Sequence, residues 1–195
     1  CSNVCCMNTI KDSLLIKEHW PETKIYVYYV DIRAYGKGFE DLYKRARREG
    51  VLFVRGLPTE IVENKKTRDL WLVGENTLQG EVYKTKVGMV ILSIGIEPRQ
   101  DSDVIQRLCT LSRTPDGFFM EAHPKLRPVD APTGGVFLAG CAESPKDIKD
   151  SVTQASAAAA RAGILMAKGK VTVEAITSKL IPENCTGCQM CCLLY

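Results

Sequence analysis

Nine cysteines, most of them in two short clusters, constrain this chain more than any other feature of its sequence. One cluster begins the chain and the other ends it, and two cysteines are isolated between them: Cys1, Cys5 and Cys6; Cys185, Cys188, Cys191 and Cys192; Cys109 and Cys141. A disulfide scaffold spreads its cysteines along a short secreted chain. Gaps of two residues instead favour a metal or iron–sulfur site in a reducing compartment. The pattern therefore predicts an intracellular, metal-binding protein.

The overall composition excludes several classes of protein. With 195 residues, 45% of them hydrophobic, the chain is long enough for one or two small domains. A net charge of +3 does not indicate a nucleic-acid-binding surface. No apolar run reaches the length of a membrane span, and the first residues do not resemble a secretory signal. Because the sequence starts with Cys1 rather than Met, we expect an internal or processed piece of a larger polypeptide.

Alternating helical and extended patterns predict an α/β fold. Helices are expected at residues 9–19 and 38–50, each followed by a strand, KIYVYYVDI and VLFVRG. Antiparallel strands are expected next, turning at Lys65–Lys66 and at Gly74–Asn76. The stretches KVGMVILSIGIEP and GVFLAG read as buried strands, with a short helix between them at residues 101–111. This rhythm is typical of a doubly wound sheet.

The segment GVFLAGCAESPKDIKDSVTQASAAAARA is the strongest candidate for a binding site. A predicted buried strand ends at Gly140 and leads into a long helix, whose first N–H groups suit a phosphate or the edge of an electron-rich ring. An ordinary strand–loop–helix unit of an α/β fold would show the same pattern.

The same segment resembles the second FAD-binding segment of thioredoxin-reductase-like flavoproteins. It is more closely similar to the A subunit of heterodisulfide reductases, in which GVFLAGCA, PKDI, SV and QASAAAA run together much as here. The same resemblance covers nearly the whole chain. It is carried also by three further stretches, EAHPKLRPVD, DIRAYGKGFEDLYKRA and CSNVCCM. Cys141 departs from the broader flavoprotein group, which has an acidic residue at this position.

The resemblance implies Rossmann-like, doubly wound sheets of the FAD/NAD(P)-binding type, with the start of a ferredoxin-like segment. Residues 1–97 would be a dinucleotide-type domain that carries the first cysteine cluster. Residues 98–169 would close an FAD-binding domain, and residues 170–195 would be a linker and the beginning of a ferredoxin-like cluster motif. NAD(P) binding is not expected, because the cysteines stand where the phosphate-binding turn would be.

The resemblance also implies where FAD would bind. Gly140, Cys141 and Ala142 would lie along its ribityl chain and pyrophosphate. Gln154 and Ala155 would lie near the pyrimidine edge of the flavin. We expect Lys146 near the isoalloxazine ring, where a positive charge would stabilise the anionic reduced flavin. The alternative for Lys146 is an ordinary solvated loop charge.

The two cysteine clusters would hold [4Fe–4S] clusters. Cys1, Cys5 and Cys6 would supply three ligands of one cluster, with the fourth upstream; zinc is the alternative metal. The stretch CTGCQMCC resembles the start of a bacterial ferredoxin site, in which Cys185, Cys188 and Cys191 match. Tyr195 stands at the expected fourth position. Either the chain is cut there, or it departs from the motif, or Cys192 substitutes.

The function implied is electron relay between FAD and [4Fe–4S] clusters in a cytoplasmic oxidoreductase of the heterodisulfide reductase type. The resemblance extends this function to flavin-based electron bifurcation. Implied partners are the other components of the complex, an electron-donating hydrogenase or formate dehydrogenase module, and ferredoxin. No side chain need act as a catalytic acid or base. Two alternatives stay open: an NAD(P)H-dependent flavin disulfide reductase, and a zinc-stabilised interaction module without redox activity.

Overall fold

The computed structural model describes residues 1–170 and 179–189. Four α-helices and five strands lie in these residues: α1 Cys5–His19, β1 Tyr26–Tyr29, α2 Phe39–Arg48, β2 Leu52–Arg55, β3 Pro58–Glu63, β4 Leu70–Asn76, β5 Glu81–Val87, α3 Ser102–Cys109 and α4 Ile148–Lys168. Single 3-10 turns occur at Gly140–Ala142 and Pro182–Asn184. The mixture of helices and small sheets confirms the predicted α/β class.

Helix α1 begins earlier than its apolar pattern predicts. It starts at Cys5 rather than Thr9, so Cys5 and Cys6 belong to its first turn. Met7, Ile10 and Leu14, spaced three and four residues apart, form its buried face. The helix ends at His19, just before Trp20 and Pro21.

A parallel β–α–β unit packs against α1. β1 pairs in parallel with β2, and α2 connects them. Val27, Ala46 and Val51 join the buried residues of α1 in one core cluster. The predicted strand KIYVYYVDI is shorter than expected: four of its nine residues are strand, and Val27 is the residue of β1 that is buried.

The antiparallel sheet has the order β3–β4–β5. The first turn lies at Lys65–Lys66, as predicted, but the second does not lie at Gly74–Asn76, which are paired residues of β4. The chain turns at residues 77–80 instead, because the Asn76 carbonyl accepts from Gln79 N and Gly80 N while its side chain accepts from Leu78 N. Tyr83 stacks on Tyr28 with ring centroids 4.8 Å apart, so the two sheets are in contact.

The buried strand predicted in KVGMVILSIGIEP is wrong beyond Val87. β5 ends there, and Met89, Ile91, Leu92 and Ile94 are each more than 70% exposed. A strand requires a neighbour for its N–H and C=O groups, and the described residues provide none along this stretch. Its far end is nevertheless anchored, since Ser93 Oγ donates to the Cys5 carbonyl at 3.3 Å.

The GVFLAG stretch forms a single bridge, Asp130 to Phe137, rather than the predicted strand. Leu138 is nevertheless buried, in a second small cluster with Leu111 and Ala131. The chain then turns at Gly140 and enters α4, the long helix that the sequence predicts. Parallel pairing in the described residues is confined to β1 and β2, so a doubly wound sheet stays a prediction.

Candidate functional site

The first cysteine cluster lies at the N-terminal end of α1. Cys1 is exposed, while Cys5 and Cys6 are partly buried. The Cys6 thiol donates weakly to the Asp31 carbonyl at 3.7 Å, so this end of the helix faces the end of the β1 segment. A helix N-terminus stabilises thiolates, which are the form that binds metals.

These thiols have the chemistry of metal ligands, but their side chains do not converge. Across residues 1–170 and 179–189, no three Cys, His, Asp or Glu side chains are close enough together to hold a metal ion. The Cys1 thiol is turned towards the Asn3 side-chain oxygen, at 3.7 Å. The arrangement therefore gives no ligand geometry, and ligation by Cys1, Cys5 and Cys6 stays a prediction.

The second cysteine cluster is only partly described. Cys185 and Cys188 are exposed and follow the 3-10 turn at Pro182–Asn184. Cys191 and Cys192 lie outside the described residues.

The first cysteine cluster lies beside residues 140–147, the loop before α4 where FAD binding is predicted, which we call the flavin loop. Asn3, between Cys1 and Cys5, donates from Nδ2 to the carbonyl of Pro145 at 3.0 Å, a contact between residues 142 positions apart. Pro145 is buried and directly precedes Lys146. The fold therefore brings together two candidate sites that the sequence places far apart along the chain.

The flavin loop turns sharply at Gly140. Its φ of 66° lies in the left-handed region, which favours glycine. The Gly140 N–H donates to Gln154 Oε1 at 2.7 Å, and α4 is capped by Asp147, whose side chain accepts from Asp150 N. Ala142 is exposed, and its carbonyl accepts from Phe119 N. A direct hydrogen bond thus joins Gly140 to Gln154, two residues that were predicted to contact different parts of FAD, and those two roles stay predictions.

Glu143 occupies the centre of this loop, and its role was not predicted from the sequence. Lys146 Nζ contacts Glu143 Oε2 in an ion pair, and Gln154 Nε2 donates to the same oxygen at 3.2 Å. Ser144 Oγ donates to it as well, at 3.0 Å. Burial alone would raise the pKa of Glu143, but the hydrogen bonds from Lys146, Gln154 and Ser144 outweigh it, so the pKa lies below its ordinary value. The signal available in the sequence was the acid three residues before Lys146.

Lys146 is not a solvated loop charge. Its side chain is 12% exposed, and that of Glu143 16%. Cys141 is exposed, and its thiol approaches the Lys146 carbonyl at 3.7 Å. Ala155 is exposed on α4, one residue after Gln154. The loop therefore gathers an ammonium group and an amide around Glu143, next to the exposed residues Cys141 and Ala142. Flavin binding by these residues stays a prediction.

Two other groups have structural contacts. Asp31, two residues after β1, forms an exposed ion pair with Arg55 at 3.6 Å. His123 Nδ1 accepts from Lys125 N and Leu126 N, which caps a turn. None of the helices in the described part of the chain combines the length and the apolar character needed to cross a bilayer.

Comparison with known proteins gives consistent relatives. No family model matches the chain. It is 53% identical over 192 residues to the second iron–sulfur A subunit of the CoB–CoM heterodisulfide reductase of Methanopyrus kandleri, covering 98% of this chain and 29% of that protein. It is 50% identical over 194 residues to the A subunit of the H2:CoB–CoM heterodisulfide, ferredoxin reductase of Methanothermobacter thermautotrophicus, covering 98% and 29%. For the A subunit of the H2/formate-dependent enzyme of Methanococcus maripaludis the identity is 43% over 195 residues, covering 100% and 30%. The chain thus spans less than a third of the length of these relatives.

Proposed function

Because the chain belongs to the family of heterodisulfide reductase A subunits, we propose that it forms part of an electron-transfer oxidoreductase that relays electrons between FAD and [4Fe–4S] clusters. The observation that carries this proposal is the contact between Asn3 and Pro145. It places the thiol-bearing start of α1 beside the loop with flavin-compatible polar groups. Short distances between redox centres are what an electron relay requires.

In this proposal the flavin loop holds FAD along one side. Gly140, Cys141 and Ala142 line the ribityl chain and pyrophosphate, Gln154 and Ala155 lie at the pyrimidine edge, and Lys146 lies near the ring. FAD supplies the chemistry of accepting and releasing electrons. The residues of the chain bind and orient the flavin and set the charge around it, and none of them is assigned as a catalytic acid or base.

The iron–sulfur part of the proposal assigns two groups of thiols. Cys1, Cys5 and Cys6 would ligate one [4Fe–4S] cluster at the start of α1, where the helix dipole favours thiolates. Cys185, Cys188, Cys191 and Cys192 would belong to a second site of the ferredoxin type.

A Rossmann-like domain organisation is part of the same proposal. The α1–β1–α2–β2 succession, with β1 parallel to β2, is the repeating unit of a doubly wound sheet. In this organisation, the exposed stretch at residues 89–94 forms a strand once a neighbouring strand from another part of the domain pairs with it. Residues 1–97 would form the dinucleotide-type domain, residues 98–169 the closing part of an FAD domain, and residues 170–195 the approach to a ferredoxin-like motif.

The names of the relatives suggest partners. They refer to H2 or formate and to ferredoxin as reactants of complexes that act on the CoB–CoM heterodisulfide. We therefore extend the proposal to a cytoplasmic complex with further heterodisulfide reductase subunits, a hydrogenase or formate dehydrogenase module, and ferredoxin. Electron bifurcation at the flavin belongs to the same extension.

An anaerobic reductive titration tests this function. The full-length protein is titrated with dithionite while flavin and cluster absorbance are followed. FAD takes up two electrons and each [4Fe–4S] cluster one, so uptake should exceed two electrons per flavin. Cys5→Ser should lower uptake by one electron and leave the flavin's two intact.

Cys109→Ser is the matched control for this titration. Cys109 is partly buried against the Leu111 cluster and belongs to neither cysteine cluster, so this variant should titrate like the wild type. Uptake that stops at two electrons in the wild type would contradict the relay and favour a flavoprotein without clusters. Uptake near zero, with zinc bound, would favour the structural module.

A further inference from the structure

Glu143 is a nearly buried carboxylate at the centre of the flavin loop, and neither the sequence motif nor the relatives' names assign it a role. Three donors from three side chains converge on its Oε2: Lys146 Nζ, Gln154 Nε2 at 3.2 Å and Ser144 Oγ at 3.0 Å. A carboxylate this well solvated by protein groups remains ionised despite its burial.

The first consequence concerns the charge of Lys146. Its side chain is largely withdrawn from solvent, and its ammonium group is held by Glu143 and by Ser144 Oγ at 2.5 Å. At such low exposure, a neighbouring carboxylate cancels most of the field that the ammonium group would otherwise project. The loop then presents a nearly neutral pair to a ligand, and not the lone cation that the motif suggests.

The second consequence concerns Gln154. Its Oε1 accepts from Gly140 N at 2.7 Å while its Nε2 donates to Glu143. An amide that donates to a carboxylate and accepts from a backbone N–H has a single favourable orientation. Glu143 therefore fixes the direction of the amide and, through it, the conformation of the turn at Gly140.

We propose that Glu143 is a positioning residue of the flavin site, which compensates the charge of Lys146 and orients the amide of Gln154. The inference rests on the proposed function, since it concerns the flavin that this loop would hold. In this proposal, the flavin is affected by the net charge of the Glu143–Lys146 ion pair and not by either charge alone. Removing either charge exposes the other, with opposite effects on the anionic reduced flavin.

The test is a double-mutant cycle on the flavin reduction potential, measured anaerobically in the full-length protein against a dye of known potential. Glu143→Gln leaves Lys146 uncompensated, so the reduced form should be favoured about tenfold, a rise of about 30 mV for a two-electron couple. Lys146→Met leaves Glu143 uncompensated and should lower the potential by a similar amount. The double variant E143Q/K146M should lie close to the wild type.

Glu81→Gln is the matched control, because Glu81 is an exposed acid at the start of β5 and should not affect the potential. A lowered potential in K146M without any change in E143Q would overturn the proposal, since Lys146 would then act alone. Unchanged potentials in both single variants would overturn it too, while leaving flavin binding intact. A wild-type protein without flavin would contradict the proposed function itself, and the role of Glu143 with it.

A second measurement serves if E143Q binds flavin too weakly for a potential. Hydrogen exchange of the Gly140 amide should be at least about tenfold faster in Glu143→Ala than in the wild type, because the amide of Gln154 then loses the oxygen that accepts its hydrogen bond. Equal exchange rates would overturn the positioning role.

Discussion

Asn3 joins the first cysteine cluster to the flavin loop, and its substitution should loosen that junction. Its Nδ2 donates to the Pro145 carbonyl at 3.0 Å, and its φ of 57° lies in the left-handed region, which asparagine tolerates better than most residues. Asn3 therefore contributes to stability in two separable ways, through its hydrogen bond and through its backbone conformation.

The magnitudes follow from these two contributions. A hydrogen bond of this kind contributes about 0.5–1.5 kcal/mol net. A left-handed conformation costs an ordinary L-residue roughly 1–2 kcal/mol. Asn3→Gly removes only the bond and should lower the free energy of unfolding by about 1 kcal/mol. Asn3→Ala removes the bond and adds conformational strain, so it should cost about 2–3 kcal/mol.

Urea denaturation, followed by circular dichroism at a single protein concentration, measures both variants against the wild type. The order wild type, Asn3→Gly, Asn3→Ala is the expected ranking of stability. Asn3→Asp is a third variant of matched shape, in which a carboxylate oxygen replaces the donor and faces the Pro145 carbonyl; it should be less stable than Asn3→Gly. If all three variants unfold within about 0.3 kcal/mol of the wild type, neither the hydrogen bond nor the backbone conformation of Asn3 contributes to stability as proposed. A glycine variant less stable than the alanine variant would refute the conformational part alone.

Three further predictions concern stability. Ile10 is fully buried in α1, so Ile10→Ala should cost about 2–5 kcal/mol in urea denaturation, whereas Leu15→Ala on the exposed side of the same helix should cost far less. The hydrogen bonds from Arg161 hold the pKa of Asp130 below its ordinary value, so their contribution to the free energy of unfolding is complete above about pH 4 and is lost as the pH falls through that lowered pKa. The stability difference between the wild type and Asp130→Asn should therefore shrink in acid. A difference independent of pH would contradict this assignment. The Tyr83 hydroxyl is buried without a hydrogen-bond partner in the described residues, so Tyr83→Phe should raise the free energy of unfolding by about 1 kcal/mol and with it the thermal midpoint. A lower midpoint would show that the hydroxyl has a hydrogen-bond partner.

Local signals predicted the helices well. The long helix was expected over DIKDSVTQASAAAARAGILMAKG, and α4 runs from Ile148 to Lys168. Asp147 caps its start and Gly169, with a φ of 63°, ends it, so both boundaries are encoded by adjacent residues. Helix α1 was recognised by its apolar spacing, but its first turn was missed because two cysteines carry no helical signal of their own.

The strands were harder to predict because their partners lie elsewhere in the chain. The apolar stretch at residues 89–94 has strand-like composition, yet it has no neighbour in the described part of the structure and is exposed. The hairpin turn after β4 was placed too early because Gly74 resembles a turn glycine. In the structure Gly74 is a strand residue that makes room for Tyr83, whose hydroxyl occupies the space that a Cβ at that position would need.

In the candidate site, too, local signals were readable from the sequence and contacts between distant residues were not. Gly140, Lys146 and Gln154 were named from the motif as candidates for FAD binding, a role that stays a prediction; in the structure they lie around Glu143. Glu143 was not, because its importance depends on Gln154, eleven residues further along, turning back across the loop. The contact from Asn3 to Pro145 joins residues 142 positions apart, and no local pattern could indicate it.

The most direct test of the electron-relay account is the metal content of the full-length protein after strictly anaerobic purification. Iron, acid-labile sulfide and zinc are quantified, and an EPR spectrum is recorded after reduction with dithionite. The account predicts iron and sulfide in equal amounts, a cubane-type signal, and less of both elements in Cys5→Ser. Zinc without sulfide in the wild type would contradict the account and would indicate a zinc-stabilised module.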